Sequence, residues 1–182
     1  LPDLNVTVDG ELADFAESAD PFLLSVGGLE ADYEPIFLVD SMTSVLERQK
    51  DARLMIVGDG TLRSAVESKI VELGLADKVM LAGNVPHEQV LHLIKRADVV
   101  LRATLVDGDA ISVREALHLG TPVVATDNGM RPDGVHLLKA HTSTTLIAAI
   151  NAAMSTQIPK KSENVDGISK VIEIYEGLFD RR

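Results

Sequence analysis

Asp107 and Glu115 stand eight positions apart in the stretch DGDAISVREALHLGTPVVATD, residues 107–127, with a turn and a helix start between them. Carboxylates accept hydrogen bonds from sugar hydroxyls. Gly108 loosens the backbone, Ser112 stands where a helix cap belongs, and Glu115 follows three residues later. Gly120 and Pro122 then stop the helix before the apolar run Val123 to Ala125. A helix start beside a parallel sheet gathers unpaired backbone N–H groups and the positive end of the helix dipole, so it suits a phosphate. A nucleotide-sugar offers both partners. Each residue also has a plainer reading: Ser112-x-x-Glu115 is the pattern of a capping box, and Asp107 and Asp109 are ordinary turn formers. The expected convergence of three acids at one strand end favours a site. A Mg²⁺ ion there is opposed by the neighbouring Arg102, Arg114 and Arg131.

Those arginines are the counterweight to the acids, because guanidinium groups hold phosphate bidentately. Arg102 follows a strand and Arg131 lies in the loop after another, whereas Arg114 reads as a helix-surface residue. His87, His92 and His118 read as helix positions, His136 and His141 are unremarkable, and the five histidines show no metal-ligand spacing. No GxSxG nucleophile elbow occurs.

The elements that must position these residues alternate. Brief aliphatic strands are expected at Phe22 to Val26, Arg53 to Val57, Lys78 to Ala82, Asp98 to Leu101, Pro122 to Ala125 and Val135 to Leu138. Helices fill the gaps at Glu34 to Gln49, Leu62 to Leu73, His87 to Ala97, Ser112 to Leu119 and Ser143 to Met154, and Ile168 to Phe179 closes the chain. Strict alternation with short connections predicts an α/β fold: a doubly wound, Rossmann-like parallel sheet covered on both faces. Ligands then sit beyond the carboxyl ends of the strands, where most glycines lie. Gly27-Gly28 and Gly58-Asp59-Gly60 each end a strand and suit either a ligand's approach or a tight turn. Neither is GxGxxG, and no GxxxxGK[ST] is present.

Composition narrows the classes. With 182 residues the chain suffices for one sizeable domain, burying about 70% of the surface its unfolded form exposes. Aromatic residues make up 3% and Trp is absent, which leaves aliphatic packing to build the core. A net charge of −11 without a Lys/Arg cluster disfavours nucleic acid and anionic membranes as partners. Zero cysteines exclude disulfides and fit a cytoplasmic location. No apolar run approaches the ~18 residues of a membrane span. The chain opens on Leu1 and reads as an excised piece of a longer protein. Residues 1–21 read as an acidic lead-in or interdomain linker, 22–158 as the nucleotide-sugar-binding domain, and 159–182 as a connector and C-terminal helix.

From about Phe22 to Met154 the chain resembles the C-terminal, donor-binding domain of retaining GT-B glycosyltransferases of group 1 (family 4-like). The segments that carry the likeness are LLSVGGL, LMIVGDGTLR at 54–63, KVMLAGNVPHEQVLHLIKRADVVL at 78–101, and DGDAISVREALHLGTPVVATDNG at 107–129. The family's Glu, seven residues and second Glu run here from Asp107 to Glu115. The resemblance implies metal-independent transfer of a sugar, with retention, from a UDP- or GDP-linked donor, in polysaccharide or glycoconjugate synthesis. It implies that Glu115 accepts from the ribose and Asp107 holds a sugar hydroxyl. Backbone N–H groups through Asp109, Ala110, Ile111, Ser112 and Val113, after Gly108, take the phosphates, and Gly83, Asn84 and Val85 lie beside the base. Gly27, Gly28, Gly58, Asp59 and Gly60 complete the expected donor site.

Family members usually carry an Arg where Gly28 stands and a Lys where Tyr33 stands, and that pair neutralises the leaving diphosphate. This chain has neither, so Arg102 or Arg131 is expected to substitute. Asp107 in place of Glu leaves the donor sugar open. The acceptor domain lies outside these residues, so the isolated domain is expected to be inactive, with any peripheral membrane association made through the other domain. Two rival readings are a nucleotide-sugar 2-epimerase and a degenerate module that binds a nucleotide or partner without catalysis.

Overall fold

The computed structural model describes residues 8–156. Six parallel strands, β1 (Phe22–Val26), β2 (Arg53–Val57), β3 (Val79–Gly83), β4 (Val99–Arg102), β5 (Val123–Thr126) and β6 (Val135–Leu138), lie in the order β3-β2-β1-β4-β5-β6. The order reverses between β1 and β4, which is where a doubly wound sheet opens a crevice for ligands. Six helices connect and cover the strands: α1 (Gly10–Glu17), α2 (Pro35–Leu46), α3 (Arg63–Glu72), α4 (His87–Arg96), α5 (Ile111–Leu119) and α6 (Ser143–Ser155). The expected α/β architecture stands, with strand ends moved by one residue at β3, β4 and β5.

The strands are mainly apolar because both faces are covered, and alternate residues serve opposite layers. Leu23, Leu54, Ile56, Val99, Leu101 and Val124 pack with α2, α3 and α6. Leu24, Met55, Val57, Val100, Val123 and Ala125 pack with α1, α4 and α5. The second layer also carries the site.

The acidic lead-in differs from the expectation. Asp9 caps α1 by accepting from the Glu11 N–H, and the helix turns Phe15 and Ala16 into the core beside Phe22 and Val57. Its acids face solvent, so an acidic composition hides a helix with a buried stripe. The expected helix Ile168 to Phe179, with its connector, lies outside the described residues.

Candidate functional site

Loops from four strand ends and the start of α5 enclose a cleft of about 570 Å³, a size that suits a nucleotide-scale ligand. Its walls include Val26 and Gly27 after β1, Gly58 after β2, Asn84 and Val85 after β3, and Arg102 on β4. Asp107, Asp109, Ala110, Ile111, Ser112, Glu115 and His87 close the remaining side.

The start of α5 differs from the capping box read in the sequence. Ala110 is the N-cap in extended backbone, no side chain caps the helix, and Ser112 lies inside the first turn. Glu115 is 5% exposed and does not return to the Ser112 N–H; its Oε1 lies 2.6 Å from His87 Nε2. A buried carboxylate needs a hydrogen-bonding partner, and a residue on the neighbouring helix outcompetes the local cap. The first N–H groups of a helix have no intrahelical acceptor, so this end presents donors to the cleft.

The three acids line the same cleft, but each has its own partner. Asp109 turns outward to Arg114, with both side chains more than half exposed. Asp107 turns inward: its Oδ2 accepts from Arg102 Nε at 3.0 Å, Arg131 Nη1 at 2.9 Å and Thr104 Oγ1 at 3.1 Å, and its Oδ1 accepts from Arg102 Nη2 at 3.2 Å. Burial opposes ionisation of Asp107, but the hydrogen bonds and charges of Arg102 and Arg131 outweigh it and hold its carboxyl below the usual range. Two guanidiniums around one carboxylate leave a net positive charge. Among the described residues no group of three or more His, Asp or Glu is placed to hold a metal ion.

The arginines divide their work. Arg102 lines the cleft, donates from Nη1 to the Val26 carbonyl, and carries its guanidinium 4.7 Å from the centre of the Tyr33 ring. Tyr33 therefore acts as a platform for a cation brought from β4. The Arg131 side chain is only 3% exposed and does not line the cleft; it donates to Asp107 and to the Thr126 carbonyl. Of the two arginines expected to face a diphosphate, only Arg102 is positioned at the cleft.

The glycine loops also divide. A Cβ on Gly27 would strike the Tyr33 ring, so glycine there lets Tyr33 cover the β1 end. Gly58 has φ +131°, and a Cβ would run into the Gly27 carbonyl. The Gly58-Asp59-Gly60 loop braces the β1 loop: the Leu29 N–H donates to the Asp59 carbonyl, and Gly60 packs on Leu29. Gly28, Asp59, Gly60, Gly83, Gly108 and Val113 stand outside the cleft lining, and Val113 is buried in the core. Gly108 is instead held from behind, its carbonyl accepting from Asn128 Nδ2.

His87, Thr104, Asn128 and Tyr33 are parts of the site that the sequence analysis did not select. The available signal for His87 was its place as the first residue of the helix that follows β3, directly above the strand ends. The hydrogen bond to Glu115 raises its pKa above the ordinary imidazole value, burial opposes this, and the charges of Glu115 and Glu88 add to the rise.

Comparison with known proteins fits this geometry. Residues 13–168 match the family glycosyl transferases group 1. Over 110 residues the chain is 34% identical to an uncharacterized glycosyltransferase of Methanocaldococcus jannaschii, covering 60% of this chain and 28% of that protein. The chain therefore spans less than a third of that relative's length. S. aureus TarM, solved with fondaparinux, alpha-GlcNAc-glycerol and UDP, shares the fold at a TM-score of 0.68 and 15% identity, covering 88% of this chain and 35% of that one. The C-terminal domain of a glycosyl transferase group 1 family protein from Francisella tularensis does so at a TM-score of 0.66 and 14% identity, covering 96% and 97%. With a family match across most of the chain and the doubly wound sheet of GT-B glycosyltransferases, this chain belongs to the glycosyl transferases group 1.

Proposed function

We propose that this chain is the donor-binding half of a retaining glycosyltransferase that moves a sugar from a UDP- or GDP-linked donor to a glycan or glycoconjugate acceptor. The observation that carries this reading is the uncapped start of α5, which opens into the cleft at the sheet's switch point with the buried Glu115 one turn behind it. The diphosphate sits at that helix start, where backbone N–H groups and the dipole stabilise charge as the sugar leaves. Glu115 accepts from the ribose, and the loop of Asn84 and Val85 lies beside the base. Arg102 takes the place of the missing basic pair. Asp107 aims Arg102 and keeps its remaining acceptor capacity, on Oδ1, for the donor sugar. The net positive charge of the Arg102–Asp107–Arg131 group offsets the acidic protein's field without a metal.

The acceptor and its catalytic groups belong to a partner domain, so this chain alone binds donor without turnover. The uncharacterized relative named above is described as a glycosyltransferase, and TarM was solved with UDP, which supports a nucleotide-linked donor. The absence of cysteine fits a reducing cytoplasm. Among the described residues no helix is long and apolar enough to cross a membrane.

Calorimetric titration with UDP, GDP and their sugar conjugates tests the reading. Saturable binding of a diphosphate nucleotide that is lost in Glu115→Ala supports it. No binding at millimolar nucleotide overturns it in favour of a non-catalytic module.

A further inference from the structure

His87 and Glu115 are 28 residues apart in sequence and come from different helices, yet their side chains meet inside the cleft. Glu115 is nearly inaccessible, whereas the His87 side chain is half exposed at the mouth of the same cleft. The place of the histidine is not explained by its own helix. The first turn of a helix favours acceptors and anions and disfavours a cation, because the positive end of the dipole lies there. Glu88 follows that rule. An imidazole at the first position instead serves a group outside its own helix, and Glu115 on the neighbouring α5 is within hydrogen-bond distance of it.

We propose that His87 is a positioning residue for donor recognition: its Nε2–H holds Glu115 Oε1 and fixes the carboxylate where the hydroxyls of a ribose meet it. This rests on the donor-binding reading above. A carboxylate at the end of a glutamate side chain has three rotatable bonds, and ordering it before the ligand arrives removes that cost from binding. Imidazole donates from Nε2 in the Nε2–H neutral form and in the protonated form, so the contact survives across neutral pH. The elevated pKa of His87 accords with a bond that stabilises the protonated ring.

The test is calorimetry on the full chain with UDP and GDP, and with the 2′,3′-dideoxy form of whichever binds. His87→Ala is expected to weaken the ribonucleotide about tenfold, whereas His87→Gln, whose amide N–H can replace the donor, restores most of the affinity. The dideoxy nucleotide is expected to bind wild type and His87→Ala equally, and His87→Ala to add no further loss in a Glu115→Gln background. Thermal unfolding of each variant separates loss of fold from loss of recognition. Unchanged affinity in His87→Ala overturns the assignment. So does an equal loss for the dideoxy nucleotide, or a His87→Gln variant that folds and binds as weakly as His87→Ala. Failure of the donor reading itself looks different: the unsubstituted chain then binds neither nucleotide, while NMR titration still finds the imidazole coupled to Glu115, and no ribose role for His87 survives.

Discussion

Two helix starts in this molecule are built in opposite ways. α6 begins on Thr142, whose hydroxyl accepts from the Thr145 N–H while the Thr145 side chain accepts from the Thr142 N–H, so two donors are satisfied reciprocally. α5 begins on buried Ala110 with no side-chain cap, and its first residues line the cleft. A capped start stabilises its own helix; α2, α3 and α4 also lack a side-chain cap, so what sets α5 apart is that its uncapped first turn lines the cleft beside Glu115. The α5 start is held from behind instead. Asp107, Arg102, Arg131 and Asn128 tie the loop of residues 107–108 to β4 and to the loop after β5. The difference separates a helix end closed on itself from one open to the cleft.

The largest way to break this contrast is Asp107→Ala, which leaves two mostly buried guanidiniums without their shared carboxylate. Chemical denaturation is expected to show a loss of roughly 3 kcal/mol, together with loss of nucleotide binding. Thr142→Ala removes a cap of ordinary kind. It is expected to lower stability by about 1 kcal/mol while nucleotide affinity in calorimetry stays unchanged. Equal damage to affinity would show that the two starts are not functionally distinct.

Ala110→Ser sharpens the comparison in the other direction. The N-cap backbone is already extended, so a serine hydroxyl there is expected to raise stability by about 0.5 kcal/mol and to weaken diphosphate binding by competing for the same N–H groups. A variant that gains stability and binds as before contradicts a phosphate seat at this end.

The smallest effects come from pH. The lowered pKa of Asp107 means its contribution is present above the unfolded carboxylate value, about 3.9, and is lost as pH falls through the lower folded value. The raised pKa of His87 works oppositely: its contribution is complete below about 6.5 and is lost as pH rises through the higher folded value. The Thr142 cap does not titrate. Thermal unfolding across pH is expected to show a shallower acid limb in Asp107→Asn and a shallower alkaline limb in His87→Gln, with Thr142→Ala parallel to wild type.

Particular residues show how much of this was legible. The bounds Phe22 to Val26 and Arg53 to Val57 are legible in the sequence because a strand buried on both faces reads as a near-continuous apolar run, and here a glycine follows each run. α1 was missed because Glu11, Asp14 and Glu17 dominate its composition, while its buried contribution comes mainly from Phe15 and Ala16. The plainer reading of Ser112 and Glu115 as a capping box fails at α5, whereas a reciprocal cap forms at Thr142 and Thr145. A local pattern holds where side chains have only local partners, and Glu115 had a nonlocal one in His87. Arg131, expected at the phosphates, pairs with Asp107 and stands outside the cleft lining, which spacing along the chain does not reveal.

By itself, the order of apolar runs, glycines and helix periods determined a doubly wound sheet and brought the 107–115 segment to the carboxyl edge of that sheet. Those are consequences of burial and backbone geometry that act within a few residues. The tertiary structure alone decided which charges pair, which arginine faces the cleft, and which histidine meets the buried glutamate. Charged side chains choose partners by proximity in space and by the cost of leaving a buried ion unpaired, and neither quantity is written in their spacing along the chain.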